Sequence, residues 1–179
     1  MMTAKARSIG MTRTVYANAS GLPDKRQVTT ARDLVLLGRA IQERFPKYYT
    51  YFATSNFRYA GQSIRNHNNL LGRIEGVDGI KTGFTNASGF NLLTSVRRDG
   101  QHVVAAVLGG TSAASRDRIM ANLITDKIQY ASRVKTAPSV FANARMETTV
   151  TAKAQVKPAP MTQTDATRSE EHTSELQSH

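Results

Sequence analysis

Lys81, Thr82, Gly83 and Phe84 follow one another inside "GVDGIKTGFTNASGF", residues 76–90, a run otherwise made of small, apolar and turn-forming residues. An ammonium beside a hydroxyl can hold a carboxylate through charge-assisted hydrogen bonds. The glycine behind them leaves room for a substrate backbone, and the next amide, on Phe84, is placed to donate to a developing oxyanion. The triplet alone also has a plainer reading, a lysine on an edge strand that discourages pairing with other chains. The rest of the sequence narrows the chemistry. None of the 179 residues is a cysteine and no Cys/His cluster occurs, which excludes a thiolate nucleophile and the usual zinc site; neither metal nor cofactor is expected. His67 and His102 stand without partners at catalytic or metal spacing. Asp78 reads as a turn-fixing residue rather than a base.

These groups need a scaffold, and from Val77 the sequence alternates strand and turn: "VDGIKTGF", "NASG", "FNLLTSVR", "RDGQ", "HVVAAVLGG". Asp99-Gly100 between two apolar runs is a hairpin signal, because both residues tolerate positive φ. The third run is apolar on both faces, so it predicts a strand covered on both sides. A helix follows, with Ser112 or Ser115 to cap it, Asp117 in its first turn, and Ile119, Met120, Leu123, Ile124 and Ile128 on its buried side. Upstream, "TTARDLVLLGRAIQERFP" predicts another helix. Thr30 and Asp33 form a capping box there, and Leu34, Leu37, Ile41 and Phe45 face the core before Pro46. A short helix-like fragment ends near Gly10, and residues 47–76 read as a long loop with short strands. The core is expected between residues 30 and 131.

A net charge of +11 and a pI near 10.3 favour polyanionic partners. Lysine and arginine are scattered, however, aromatics make up 7% of residues, and neither an RNA-binding nor a helix-turn-helix signature occurs, so nucleic-acid binding is the weaker reading. No apolar run approaches the roughly 18 residues of a membrane span, and the first residues lack the apolar stretch of a signal peptide. Residues 1–131 read as part of one folded domain and 132–167 as a disordered basic Ala/Thr/Pro linker. Residues 168–179, "RSEEHTSELQSH", resemble a translated sequencing adapter and are set aside, His172 and His179 included.

The blocks "GMTRTVYANASGLPD", "VTTARDLVLLGRAI", "FPKYYTYF", "HNNLLGRIEGVDGIKTGFTNASGFNLLTSV" and "VVAAVLGGTSAASRD" occur in an order that closely resembles the serine-type D-alanyl-D-alanine carboxypeptidases, the low-molecular-mass penicillin-binding proteins. The likeness spans residues 1–131. It implies an α+β fragment of the serine β-lactamase and penicillin-binding (transpeptidase-like) fold, with an antiparallel meander sheet and flanking helices. It further implies removal of the terminal D-Ala from the peptidoglycan pentapeptide, with β-lactams as acylating inhibitors of the full-length enzyme. No nucleic acid would take part. By the same resemblance Lys81 and Thr82 face the substrate's terminal carboxylate and the Phe84 amide faces the oxyanion. Arg116 matches an arginine that recognises that carboxylate, its plainer reading being a surface arginine in the first turn of a helix.

The family's site also needs S-x-x-K and Ser-x-Asn elements upstream of K-T-G. No Ser-x-Asn triplet occurs, and the S-x-x-K match, Ser132 to Lys135, follows K-T-G instead of preceding it. The chain therefore reads as one wall of the cleft without its nucleophile, and as inactive alone. The resemblance implies a periplasmic or cell-envelope location, with membrane association only through segments beyond this sequence. Two rival readings are a non-catalytic cell-wall or penicillin-recognition module and a basic nucleic-acid-binding protein.

Overall fold

Asp99 and Gly100 have φ of 52° and 78°, so the chain reverses there in a two-residue turn of the primed type, whose twist matches that of the strands it joins. The computed structural model, which describes residues 1–142, builds its main sheet around this turn. Strands β3 (Val77–Thr85), β4 (Gly89–Arg98) and β5 (Gln101–Gly110) pair antiparallel in the order β3-β4-β5. Their register sets Lys81 opposite Leu93, Gly83 opposite Asn91 and Phe84 opposite Phe90. Only glycine fits just before β3: Gly76 has φ of 80°, and a Cβ there would lie 2.0 Å from the Arg97 carbonyl oxygen.

Helix α4 (Ala113–Ile128) packs on one face of this sheet, and the Ser112 hydroxyl accepts from the Ser115 amide at 3.0 Å to cap it. Met120, Ile124 and Ile128 bury against Leu92, Val96, Ala105 and Val107. Ile119, expected with them, is 46% exposed. It sits about 100° around the helix from Met120, outside the buried stripe. Helix α2 (Ala31–Arg44) covers the other face, where Leu34, Val35 and Ile41 meet Tyr49, Ile80, Leu93, Val104 and Ala106. β5 is thus covered on both faces, as its apolar run predicts.

The expected capping box is only half formed. Thr30 Oγ1 accepts from the Asp33 amide at 3.2 Å, but the Asp33 carboxylate turns away to accept from the Arg13 amide at 2.9 Å and the Thr14 hydroxyl at 2.6 Å. That diversion pins the N-terminal segment to α2. The core consequently begins well before residue 30: helix α1 (Met2–Ser8) supplies Ala6, which buries with Ile9 and Met11 against Ala40, Leu36 and Leu37 of α2. Phe45 is 51% exposed rather than core, because it is the C-cap of α2 and has left the helical path.

The segment read as a loop contains the four-residue helix α3 (Pro46–Tyr49) and a 3₁₀ helix over Thr50–Ala53 before a separate hairpin of β1 (Asn56–Tyr59) and β2 (Gln62–Arg65). Beyond residue 131, where linker was expected, ordered contacts continue to Ala142. The Ser139 hydroxyl donates to Glu43 Oε2 at 2.8 Å, the Val140 amide donates to it at 3.1 Å, and Val140 and Phe141 pack against the α1–α2 cluster. Two apolar residues anchor a stretch otherwise poor in them. The rest of the expected linker, 143–167, and the adapter-like residues 168–179 lie outside the described residues. Among the described residues no helix is long and apolar enough to cross a membrane.

Candidate active site on the open edge of β3

Strand β3 is an edge strand. Apart from a turn bond from the Ser88 amide to the Thr85 carbonyl, no backbone group beyond β4 pairs with residues 81–85 among the described residues. Lys81 is exposed midway along this edge, its Nζ donating to the Thr82 carbonyl at 2.5 Å, while the Thr82 side is buried. Gly83 is exposed and the fold does not require a glycine there. Its φ lies outside the left-handed region and no heavy atom stands within 4 Å of where a Cβ would sit. The edge therefore presents a cation and an empty space, with the largely buried Thr82 between them. The Phe84 ring is 55% exposed and leans on Phe90, with centroids 4.4 Å apart.

The base of β3 is held by residues that the sequence reading passed over. The Gly79 carbonyl accepts from Asn68 Nδ2 at 3.0 Å and also from the Thr94 hydroxyl. Asn68 is buried and its Oδ1 accepts from the Leu70 amide at 3.1 Å, so it clamps the loop before β3 to the strand. The run of asparagines in "NHNN" was the available signal, because Asn side chains bond nearby backbone readily.

Arg116 does not take the position expected of it. It is 3% exposed, its Nε and Nη2 donate to Asp117 Oδ1 at 2.9 and 2.7 Å, and its Nη1 reaches the Asn91 carbonyl at 3.4 Å. Asn69 Nδ2 donates to the other Asp117 oxygen at 3.0 Å. A ligand carboxylate would have to displace Asp117 to reach this guanidinium. Arg116 instead ties α4 to β4 at Asn91, the residue opposite Gly83, and supports the site from behind.

His102, read as a strand-start residue without catalytic or metal partners, lies beside two polar side chains. Its Nε2 lies 3.0 Å from Ser95 Oγ and 3.3 Å from Gln42 Nε2. Burial chiefly, then the nearby Arg97 charge, pushes its pKa below the ordinary histidine value, against a smaller opposing pull from Asp78. This is no Ser–His nucleophile pair: Ser95 is fully buried and also accepts from Gln42 at 2.9 Å. Asp78 accepts from the Tyr49 hydroxyl at 2.8 Å and lies 3.4 Å from Arg97 Nε, a tethering role rather than that of a base. Burial first, with Asp78 adding to it, pushes Tyr49 up to about 12. His67 is exposed.

Ser132 and Lys135 do not form a catalytic pair. Neither lies in a helix that would set them one turn apart; the Ser132 hydroxyl accepts from the Val134 amide at 3.1 Å, and Lys135 Nζ lies 3.6 Å from Glu43. Among the described residues no group of three or more ligating side chains could hold a metal ion.

Comparison with known proteins agrees with this architecture. The family described as D-alanyl-D-alanine carboxypeptidase matches residues 1–112. D-alanyl-D-alanine carboxypeptidase DacA of Escherichia coli is 31% identical over 126 residues, covering 70% of this chain and 31% of the relative. DacC of the same organism is 34% identical over 123 residues, covering 68% and 30%. The chain thus spans about a third of the length of these curated relatives. Among solved structures, penicillin binding protein 5 from Haemophilus influenzae matches with a TM-score of 0.68 at 26% identity, over 72% of this chain and 38% of that one. Penicillin-binding protein D2 from Listeria monocytogenes, in its ampicillin-bound form, matches with a TM-score of 0.65 at 31% identity, over 69% and 52%. The sheet with flanking helices is the transpeptidase-like α+β fold of these proteins. From Met1 through the end of β5, this chain belongs to the D-alanyl-D-alanine carboxypeptidase family.

Proposed function

We propose that the protein acts as a serine-type D-alanyl-D-alanine carboxypeptidase on peptidoglycan stem peptides, and that the open edge of β3 is the wall against which the substrate lies. The observation that carries this is the succession along that edge of an exposed lysine and a glycine whose missing side chain leaves a space the fold does not fill. Lys81 attracts the terminal carboxylate of the peptide, and the Thr82 hydroxyl orients it. Gly83 lets the substrate backbone come close, and the Phe84 amide donates to the oxyanion.

In the reaction a serine oxygen attacks the penultimate D-Ala carbonyl. A tetrahedral oxyanion forms and collapses to an ester, the peptide C–N bond breaks, and the departing D-Ala nitrogen takes the serine's proton. Water then cleaves the ester and restores the serine. The sequence has no S-x-x-K before K-T-G and no Ser-x-Asn, so we assign the nucleophile and its base to polypeptide outside these residues. Alone, this chain would not be acylated. β-Lactams would acylate the whole enzyme, and its work would lie in the cell envelope, where the polymer is.

Fluorescent penicillin tests the proposal. The 179-residue chain should stay unlabelled, while a longer product whose reading frame adds S-x-x-K and Ser-x-Asn upstream should be labelled and should release D-Ala from a pentapeptide. A labelled 179-residue chain would place the nucleophile within it, and a longer product that releases no D-Ala would contradict the assigned reaction. A genuine start at Met1 with no such frame upstream would favour a non-catalytic recognition module.

A further inference from the structure

From Arg44 to Ile74 the sequence contains no Asp or Glu but carries Arg44, Lys47, Arg58, Arg65 and Arg73. The same stretch holds Tyr48, Tyr51, Phe57 and Tyr59, all more than half exposed. Its centre is the β1–β2 hairpin, separate from the main sheet and exposed at every strand residue. Strand alternation sets Phe57 and Tyr59 on one face, with Ile64 directly opposite Phe57, and Asn56, Arg58, Ser63 and Arg65 on the other. The two rings have centroids 6.3 Å apart and planes 12° from parallel. No ion pair among the described residues engages Arg58 or Arg65. An isolated two-stranded hairpin is marginal in water, and one that shows an aromatic face and unpaired guanidinia is built to meet something.

We propose that this hairpin is a docking surface for the glycan strands of peptidoglycan; the inference rests on the carboxypeptidase reading for the choice of polymer. Pyranose rings have an apolar C–H face that stacks on the electron-rich face of an aromatic ring, which suits Phe57 and Tyr59. Arg58 and Arg65 supply planar two-pronged donors to the carboxylates that the same polymer carries. The absence of acids across the whole stretch removes the repulsion that an anionic polymer would meet. The surface holds the enzyme on the polymer while β3 handles the peptide end.

The test is co-pelleting of the 179-residue chain with purified sacculi and with glycan strands freed of their peptides. Wild type should pellet with both. Phe57→Ala with Tyr59→Ala should weaken glycan binding roughly tenfold, as truncating central aromatic anchors does. Phe57→Trp should preserve binding while far-UV circular dichroism stays unchanged, and Arg58→Gln with Arg65→Gln should weaken it and flatten its salt dependence. Wild-type affinity in the double alanine variant would overturn the proposal. So would retention of single-stranded DNA in place of glycan, which would make nucleic acid the partner. Loss of pelleting in Lys81→Met alone would move polymer binding to β3 and overturn the hairpin assignment while leaving the carboxypeptidase reading intact.

Discussion

Lys81 and Arg116 are both candidate cations for one substrate carboxylate, yet they occupy opposite kinds of environment. Lys81 stands exposed on the open edge of β3, and among the described residues its ammonium bonds a neighbouring carbonyl alone. Arg116 is 3% exposed in the first turn of α4, its guanidinium committed to Asp117 and to the β4 backbone. A cation exposed to water, with a neutral carbonyl as partner, can exchange that partner for a ligand without stranding a buried charge. A buried cation with a matched anion cannot, because removing its partner leaves a desolvated charge. The residue type is similar, but the surroundings decide which of the two is free to meet a ligand and which is tied into the fold.

The largest effect that would break this contrast comes from the buried pair. Asp117→Ala should cost about 3–5 kcal/mol in urea unfolding, since the Arg116 guanidinium is left unpaired. Replacing both partners together by Arg116→Met and Asp117→Leu should cost much less. A single variant as stable as wild type would mean that Arg116 is freer than its geometry shows.

Asp33 sharpens the contrast as a second buried ionised group. Burial raises its pKa, but hydrogen bonds from Thr14, the Arg13 amide and Thr30, with Arg7 nearby, outweigh that and hold it below the ordinary carboxylate value. Because its folded-state value lies below the unfolded one, its contribution is present above about pH 4 and is lost as pH falls through the folded value. Asp33→Asn should cost about 1–3 kcal/mol at neutral pH and flatten the acid limb of the stability profile. An unchanged acid limb would contradict the assignment.

On the exposed side the effects should be small. Lys81→Met and Gly83→Ala should change stability by no more than about 0.5–1 kcal/mol, Gly83→Ala toward greater stability, because neither position is needed by the fold. A larger loss in thermal unfolding would make the triplet structural after all. A change of similar size is expected in the hairpin turn. Ala60 has φ of 47°, a conformation that costs a residue with a Cβ about 1–2 kcal/mol, so Ala60→Asn should recover up to about 1 kcal/mol, visible as slower hydrogen exchange in β1 and β2.

Much of this fold was legible because local signals agreed with one another. The Asp99-Gly100 turn, the alternating runs around it and the Ser112 cap each name their own structure. Some of the rest was hidden because a side chain can be recruited by a distant partner that leaves no local pattern. Asp33 looked like half a capping box until Arg13 and Thr14 claimed its carboxylate. The contacts of His102 with Ser95 and Gln42 come from another strand and from a helix, so no sequence spacing announces them. Arg116 differs, because its partner is its own sequence neighbour, Asp117, whose carboxylate could equally have faced water, so the pairing has no sequence signature. The Lys81 triplet is ambiguous by itself, because a lysine on an edge strand also has a protective reading, and the proposed chemistry rests on the neighbouring blocks rather than on its three residues.

On the proposed reading, the β3 edge receives a peptide's terminal D-Ala carboxylate. Amide chemical shifts of the uniformly ¹⁵N-labelled chain, titrated with N-acetyl-D-Ala-D-Ala, test it most directly. Saturable shifts confined to residues 81–85 and their β4 partners, absent with the L,L dipeptide and abolished by Lys81→Met, are the predicted result. Shifts that centre elsewhere, or that persist unchanged in Lys81→Met, would contradict it.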